Sequence, residues 1–128
     1  LKILDLDVAI ISNIVDKRYI VQHSVGGELE RGQEFNLGHT YCSITTNQKQ
    51  LVAIYNMGIS EHFRHPCYEI FKLESYIGVP IALNGEPYGT LNFSSVKPRT
   101  SQFGDEEQAV VRLLGETVNW ALLAQHSS

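Results

Sequence analysis

Two short segments of the chain pair a histidine with a cysteine, the residue types that bind zinc or form reactive thiols. Cys42 follows His39 by three positions, and Cys67 follows His65 by two. Imidazole and thiolate suit tetrahedral zinc, and the spacing within each pair permits it. The two pairs together match no recognised zinc finger, however, and a lone cysteine is more often a small buried hydrophobe. We therefore expect no metal site.

The same cysteines could carry redox chemistry. A thiolate beside an imidazolium is stabilised and oxidises selectively, so Cys42 and Cys67 could form a redox switch, or the attacking and resolving thiols of an enzyme. Two inert thiols in the core are the interpretation that we favour. Because two cysteines are too few for a disulfide framework, the sequence indicates free thiols in a reducing, cytoplasmic setting.

Length and charge exclude several classes of protein. The 128 residues suffice for one domain, and 43% hydrophobic with 19% charged residues is typical of a globular core. The formal net charge of −4 comes with no basic cluster, so we expect neither nucleic-acid nor membrane contacts. No signal peptide and no apolar run of bilayer length is present. The first residue is Leu1, which suggests a piece of a longer protein.

Runs of β-branched residues separated by turn residues predict an antiparallel sheet. Residues 8–15 and 19–25 should form one hairpin, and residues 76–83 and 88–96 a second around Asn-Gly, the strongest short hairpin signal. Residues 51–57 predict a lone strand. The first strand has apolar residues on both alternating sets, so it should be central and covered on both faces.

Two other features of the sheet region carry predictions. Pro80 lies within a strand and would remove a hydrogen-bond donor, which indicates an edge position or a bulge. The segment from Gly26 to Gly38 is interpreted as a loop anchored by Phe35 and Leu37. Residues 39–47 favour a short helix weakly over a strand, and Pro66 could open another.

Residues 105–124 predict a long helix with Gly104 as its N-cap and acidic residues in its first turn. Leu113 and Trp120 lie seven residues apart, off the centre of its apolar stripe. They could form a coiled-coil-like seam or the rim of a broad core face. The expected core stripe consists of Val110, Val111, Leu114, Val118, Ala121 and Leu122.

These elements predict an α+β fold of five or six antiparallel strands, with the long helix on one face. The irregular middle of the chain would cover the other face, and a cavity between this cover and the sheet is the natural ligand site. The residues that we expect to line it are Tyr41, Cys42, His65, Cys67 and Tyr68 from the cover, with Tyr55 and Asn92 from the sheet.

Four motifs occur in an order that resembles a GAF domain, a member of the PAS/GAF superfamily. They are a Val-Pro-aliphatic strand, a turn around glycine, a Gly-x-Leu-Asn strand, and a Phe-x-x-x-Glu entry to the last helix. In this chain they read Val79-Pro80-Ile81, Asn84-Gly85, Gly89-Thr90-Leu91-Asn92 and Phe103-Gly104-Asp105-Glu106-Glu107. Because the resemblance covers nearly the whole chain, it implies one GAF domain over residues 1–128, with its N-terminal helix truncated.

The resemblance implies regulation rather than turnover. It suggests a cytoplasmic sensor module of a bacterial signalling protein of the histidine kinase type, with a diguanylate cyclase or phosphodiesterase output domain as the alternative. Such a module would bind a small molecule and form a homodimer through its terminal helices, with Leu113 and Trp120 in the seam. A ligand-free dimerisation and relay module is the main alternative.

The resemblance also bears on cofactors and enzymes. Bilin-binding GAF branches attach the chromophore through a cysteine followed by histidine, whereas Ser43 and Tyr68 follow the two cysteines here. We therefore expect no covalent bilin, and the ligand is unknown. No phosphate-contacting motif of the cyclic-nucleotide branches stands out. One small branch reduces free methionine sulfoxide, so a thiol enzyme stays an alternative although its cysteine pattern is not recognised here.

Overall fold

A computed structural model describes residues 8–26, 30–36, 44–46, 50–55, 73–83, 85–97 and 102–126. Within these residues, six strands form one antiparallel sheet in the order β3-β2-β1-β6-β5-β4, and a long helix follows the last strand. This arrangement confirms the predicted α+β fold. The elements are β1 Val8–Val15, β2 Arg18–Val25, β3 Glu34–Asn36, β4 Val52–Ile54, β5 Ser75–Leu83, β6 Glu86–Ser95 and α1 Asp105–His126.

Both predicted hairpins are present, and each turn uses a residue that tolerates the left-handed conformation. Asp16 has a φ of 57° in the turn between β1 and β2. Gly85 has a φ of 79° between β5 and β6, as a tight Asn-Gly turn requires. The strand pairs are therefore closed locally, by turn chemistry that the sequence shows directly.

Strand β1 lies inside the sheet, between β2 and β6, as its composition predicted. Ile10 packs in the hydrophobic cluster on one side of the sheet, whereas Ala9 and Ile11 pack against the cluster on the other side. Both alternating sets of side chains are thus in contact with apolar neighbours, which explains why the strand is hydrophobic throughout.

Pro80 lies in a part of β5 that pairs with β6 but, among the described residues, not with β4. The described pairing of β4 with β5 ends at Gly78, and the β5–β6 register shifts between Ile81 and Ala82. Pro80 therefore lies beyond the β4 pairing and next to a bulge. Both positions tolerate a residue that has no N–H to donate.

Residues 34–36, which the sequence predicted as loop, form the edge strand β3 paired with β2. The prediction was wrong because a strand of three residues is too short to show alternation. Phe35 nevertheless anchors the segment, with its ring centroid 6.3 Å from that of Tyr19. Of the predicted helix at 39–47 the described part, residues 44–46, is helical, whereas the proposed helix at Pro66 lies outside the described residues.

Helix α1 begins as predicted, with Gly104 at the N-cap. The Gly104 carbonyl accepts the first helical hydrogen bond from the Gln108 N–H at 3.0 Å. The carboxylate of Glu107 accepts a hydrogen bond from the Gly104 N–H at 2.9 Å, which is the returning half of a capping box. One backbone N–H group that a helix start leaves without an intrahelical partner, that of Gly104, is thereby satisfied.

The buried stripe of α1 differs from the predicted one. Val111 and Leu122 are buried, but Leu114 is 40% exposed and Ala121 is exposed, so their assignment to the core was wrong. Gly115 is buried in their place, and a Cβ there would lie 2.9 Å from Cγ2 of Val79. The helix therefore packs its glycine against β5. The hydropathy pattern missed this contact because glycine does not count as an apolar residue.

Candidate functional site

The two faces of the sheet differ in chemistry, and β6 shows the difference most directly. Successive side chains of a strand point to opposite faces. Leu91 and Phe93 belong to the cluster that packs under α1, which defines the helix face. Thr90, Asn92 and Ser94 are buried on the opposite side, which we call the polar face.

Ser12 and Thr90 form the first part of a buried hydrogen-bond network on the polar face. They are paired across β1 and β6, and neither side chain is exposed. Their hydroxyl oxygens share a hydrogen bond of 2.9 Å, and the Thr90 backbone N–H donates to Oγ of Ser12 at 3.2 Å. The pair therefore joins the two central strands by side chains as well as by backbone.

Asn92 extends the network toward β2. Its Nδ2 donates to the hydroxyl of Tyr19 at 3.0 Å and to Oγ1 of Thr90 at 3.4 Å. Both Asn92 and Tyr19 are only 3% exposed. An amide with two donors and an acceptor is thus held in one orientation beneath the surface of the polar face.

Tyr76 carries a second polar contact from the sheet to the helical turn at residues 44–46. Its hydroxyl shares a hydrogen bond of 2.8 Å with Oγ1 of Thr45, and both residues are buried. The ring lies over Gly78, where a Cβ would come within 2.7 Å of Cζ of Tyr76. Glycine at this position is what allows the tyrosine to lie along the strand.

The polar face combines neutral hydrogen-bonding groups with apolar surface. Its described buried residues offer hydroxyls and one amide, and none of them is charged. Every buried side-chain nitrogen and oxygen among the described residues has a partner, so the network is already ordered. The apolar side chains beside it are Ile10, Val21, Ile44, Val52 and Ile54.

The structure does not bring the two predicted sheet residues together. Asn92 lies on the polar face, whereas Tyr55 packs against the cluster of the helix face. Val52 and Ile54 lie on the polar face. Because side chains alternate along the chain, Tyr55 points to the helix face. Tyr55 is therefore on the wrong side of the sheet to line a site with Asn92.

The five predicted site residues of the cover, Tyr41, Cys42, His65, Cys67 and Tyr68, lie outside the described residues, as does His39. Their roles, and the expectation that no metal is bound, stay predictions. Sequence reasoning missed Ser12, Tyr19, Thr45, Tyr76 and Thr90. A detectable signal was present in β6, where polar residues at 90, 92 and 94 alternate with apolar ones in a strand that is otherwise typical of a core.

Helix α1 carries a second apolar surface that faces away from the sheet. Leu113 is 63% exposed and Trp120 is 72% exposed, one heptad apart. Thr117, also exposed, lies between them on the same side of the helix. We call Leu113, Thr117 and Trp120 the outer strip. No helix among the described residues is long and apolar enough to cross a membrane.

The fold and the two surfaces define an α+β domain in which one sheet face is covered by a helix and the other carries a buried hydrogen-bond network beside apolar side chains. Residues 1–122 match the family model of the GAF domain. The chain therefore belongs to the GAF family, whose members are sensory and regulatory domains. This result confirms the family resemblance that the motifs indicated.

Several solved structures share the fold at low identity. The GAF domain of Acinetobacter phosphoenolpyruvate-protein phosphotransferase aligns with a TM-score of 0.74 and 18% identity, covering 98% of this chain and 76% of that one. The phycocyanobilin-bound GAF domain of a cyanobacterial phytochrome gives 0.75 and 14%, covering 96% and 78%. The free methionine-R-sulfoxide reductase of Thermoplasma acidophilum gives 0.70 and 21%, covering 89% and 77%.

These likenesses establish the fold alone. The similar structures include a domain with a bound bilin and an enzyme, so one fold accommodates chromophore binding and catalysis as well as regulation. No curated protein matches the chain. The function of this particular domain must therefore be argued from its own residues.

Proposed function

We propose that this GAF domain is the sensory module of a bacterial signal-transduction protein, a cytoplasmic histidine kinase. It binds a small molecule over the polar face and passes the change through its terminal helices to an output domain in the same chain. The domain itself is regulatory and not catalytic. The observation that carries the proposal is the buried network of Ser12, Thr90, Asn92 and Tyr19.

The buried network occupies positions on the sheet that apolar side chains could have filled. Burying neutral polar groups is costly unless each is hydrogen-bonded, and a partly satisfied network is worse than an apolar core. The helix face of the same strands is stabilised by aliphatic and aromatic contacts. The concentration of this hydrogen-bond network on the opposite face supports a role in binding there.

The proposed ligand would lie between this face and the middle of the chain. Tyr41, Cys42, His65, Cys67 and Tyr68 would then supply contacts from the cover, opposite Asn92. A mixture of aromatic surface with a few oriented polar groups is typical of small-molecule sites. We expect the ligand to be held without a covalent bilin linkage, because neither cysteine is followed by histidine.

Strand β5 offers a route from the polar face to α1. Tyr76 on the polar face precedes Ile77, which packs in the cluster under the helix. Further along β5, the Ala82 N–H donates to Oδ1 of Asn119 on α1 at 2.9 Å. A ligand that binds one conformation of Tyr76 more tightly would raise the population of the β5 and α1 arrangement that goes with it. The size of this shift is set by the difference in the ligand's affinity for the two arrangements.

Native mass spectrometry of the domain, purified without chelator, tests the proposal. We expect a retained small-molecule mass that is lost on denaturation and is strongly reduced in Asn92→Leu. Tyr19→Phe, which removes only the hydroxyl that accepts from Asn92, should reduce it less. Tyr55→Phe on the helix face serves as the control and should retain the mass. A mass that all three variants retain equally would place the ligand elsewhere.

The exposure of the outer strip favours a second candidate, a ligand-free dimerisation and relay module. Exposed apolar side chains one heptad apart on a helix are typical of helix pairing between subunits. We expect Trp120→Glu to yield a folded monomer in size-exclusion chromatography with light scattering. Lys17→Glu, in the exposed hairpin turn, is the control and should stay dimeric. If Trp120→Glu remains a dimer, the outer strip is not the interface.

A further inference from the structure

A cleft of about 460 Å³ opens between α1 and the β4–β5 end of the sheet, on the side away from the polar face. Its volume lies in the range of small-molecule sites, roughly 300–1,000 Å³. The proposed sensory ligand does not use it. The residues that line the cleft are Gln50, Leu51, Val79, Pro80, Arg112, Glu116 and Asn119.

The helix side of the cleft presents three polar side chains in one row. Arg112, Glu116 and Asn119 follow each other at spacings of four and three residues, so each lies about one turn from the next. A cation, an anion and an amide are thereby placed in sequence along the cleft. Across from them, Leu51, Val79 and Pro80 supply apolar surface.

The hydrogen bonding of these side chains leaves donors and acceptors for a ligand. Oδ1 of Asn119 accepts the Ala82 N–H at 2.9 Å, which fixes the amide, and its Nδ2 has no hydrogen-bond acceptor among the residues that the structure describes. Within the described part of the chain, the side chains of Arg112 and Glu116 form no ion pair with each other or with any other residue. Both are exposed along the mouth of the cleft.

We infer that this cleft binds a small aliphatic α-amino acid as its zwitterion. The guanidinium of Arg112 takes the carboxylate, which it can hold through two parallel hydrogen bonds. The carboxylate of Glu116, one helical turn further along, takes the ammonium group. The aliphatic side chain lies on Leu51, Val79 and Pro80, where it is removed from water.

The alternation of charge along α1 distinguishes a zwitterion from a simple anion. A ligand that carries only a carboxylate would meet Arg112 favourably but would leave Glu116 without a counter-charge. A ligand that carries only an amine would have the reverse problem. Because both protein charges are solvent-exposed, each contact is weak, and the affinity is expected in the millimolar range.

Titration of the isotope-labelled domain with L-leucine, followed by NMR at the Ala82 amide, tests this inference. That amide reports on the cleft because it is bonded to Asn119. We expect a saturable shift with L-leucine, and binding at least about five-fold weaker for 4-methylpentanoate and for 3-methylbutylamine, which each lack one charged group. No saturable shift, or equal binding of leucine and 4-methylpentanoate, would overturn the inference.

Variants with matched controls locate the two charges. Arg112→Gln and Glu116→Gln should each weaken leucine binding about five-fold, whereas Lys17→Gln and Glu86→Gln, exposed and outside the cleft, should not change it. The double charge reversal Arg112→Glu with Glu116→Arg should restore much of the binding, because a zwitterion can turn round. Unchanged binding in both single cleft variants would contradict the assignment.

Discussion

The two faces of the sheet are made by the same strands and do different work. On the helix face, β5 and β6 present Ile77, Val79, Leu91 and Phe93 to α1, and packing decides the contacts. On the polar face the residues between them form hydrogen bonds. Because successive side chains of a strand point to opposite faces, one pair of strands can carry an apolar packing surface on one face and a hydrogen-bonded surface on the other. Substitutions on each face should therefore have different signatures.

The largest effect is expected on the helix face. Phe93→Ala removes a buried aromatic ring from the cluster under α1, and should lower the free energy of unfolding by about 3–5 kcal/mol, as measured by urea denaturation. Leu113→Ala, in the outer strip, is the control and should change it by less than about 0.5 kcal/mol in the monomer. Comparable losses in both would mean that α1 does not pack as described.

The polar face should respond to single and paired changes differently. Ser12→Ala removes the hydrogen bonds that the Ser12 hydroxyl forms with the hydroxyl and the N–H of Thr90, and should cost about 1–3 kcal/mol. Adding Thr90→Val removes the second hydroxyl, so the double variant should lose less than the sum of the two single variants. Strict additivity in urea denaturation would indicate that the two hydroxyls are not coupled.

A smaller effect should show how closely α1 approaches the helix face. Gly115→Ala would stabilise an ordinary exposed helix, but here the new Cβ meets Cγ2 of Val79, so we expect a loss of about 1–2 kcal/mol. Val79→Ala removes Cγ2 and should relieve this contact. In the Val79→Ala chain, we therefore expect Gly115→Ala to raise the stability. Thermal unfolding of the four chains measures this coupling. A gain in stability from Gly115→Ala alone would contradict the close approach.

Features that depend on neighbouring residues could be predicted from the sequence. Local backbone preferences predict the Asn-Gly turn, the Gly104 cap and the long helix. The described residues confirm each of them, the turn through Gly85. The positions of the strands other than β3 followed from composition in the same way. Local signals therefore established the elements and, through the GAF motifs, the family.

Features set by distant contacts could not be predicted as well. Tyr55 was assigned to the site because it belongs to a predicted strand, but its face depends on which residues of β4 pair with β5. The rotation of α1 depends on Gly115 meeting Val79, residues far apart in the sequence. Thr45 could be assigned to the polar face because its hydroxyl is hydrogen-bonded to that of Tyr76. Each case required the partner to be known first.

The pairing of β1 with β6 has a consequence for synthesis on the ribosome. Ser12 and Thr90 are separated by 78 positions, so β1 cannot complete its pairing until nearly the whole sheet has been translated. At roughly 5–20 residues per second, this interval lasts about 4–16 s. During that time the β1–β2 hairpin would leave the backbone groups along the β1 edge unpaired and open to pairing with another strand.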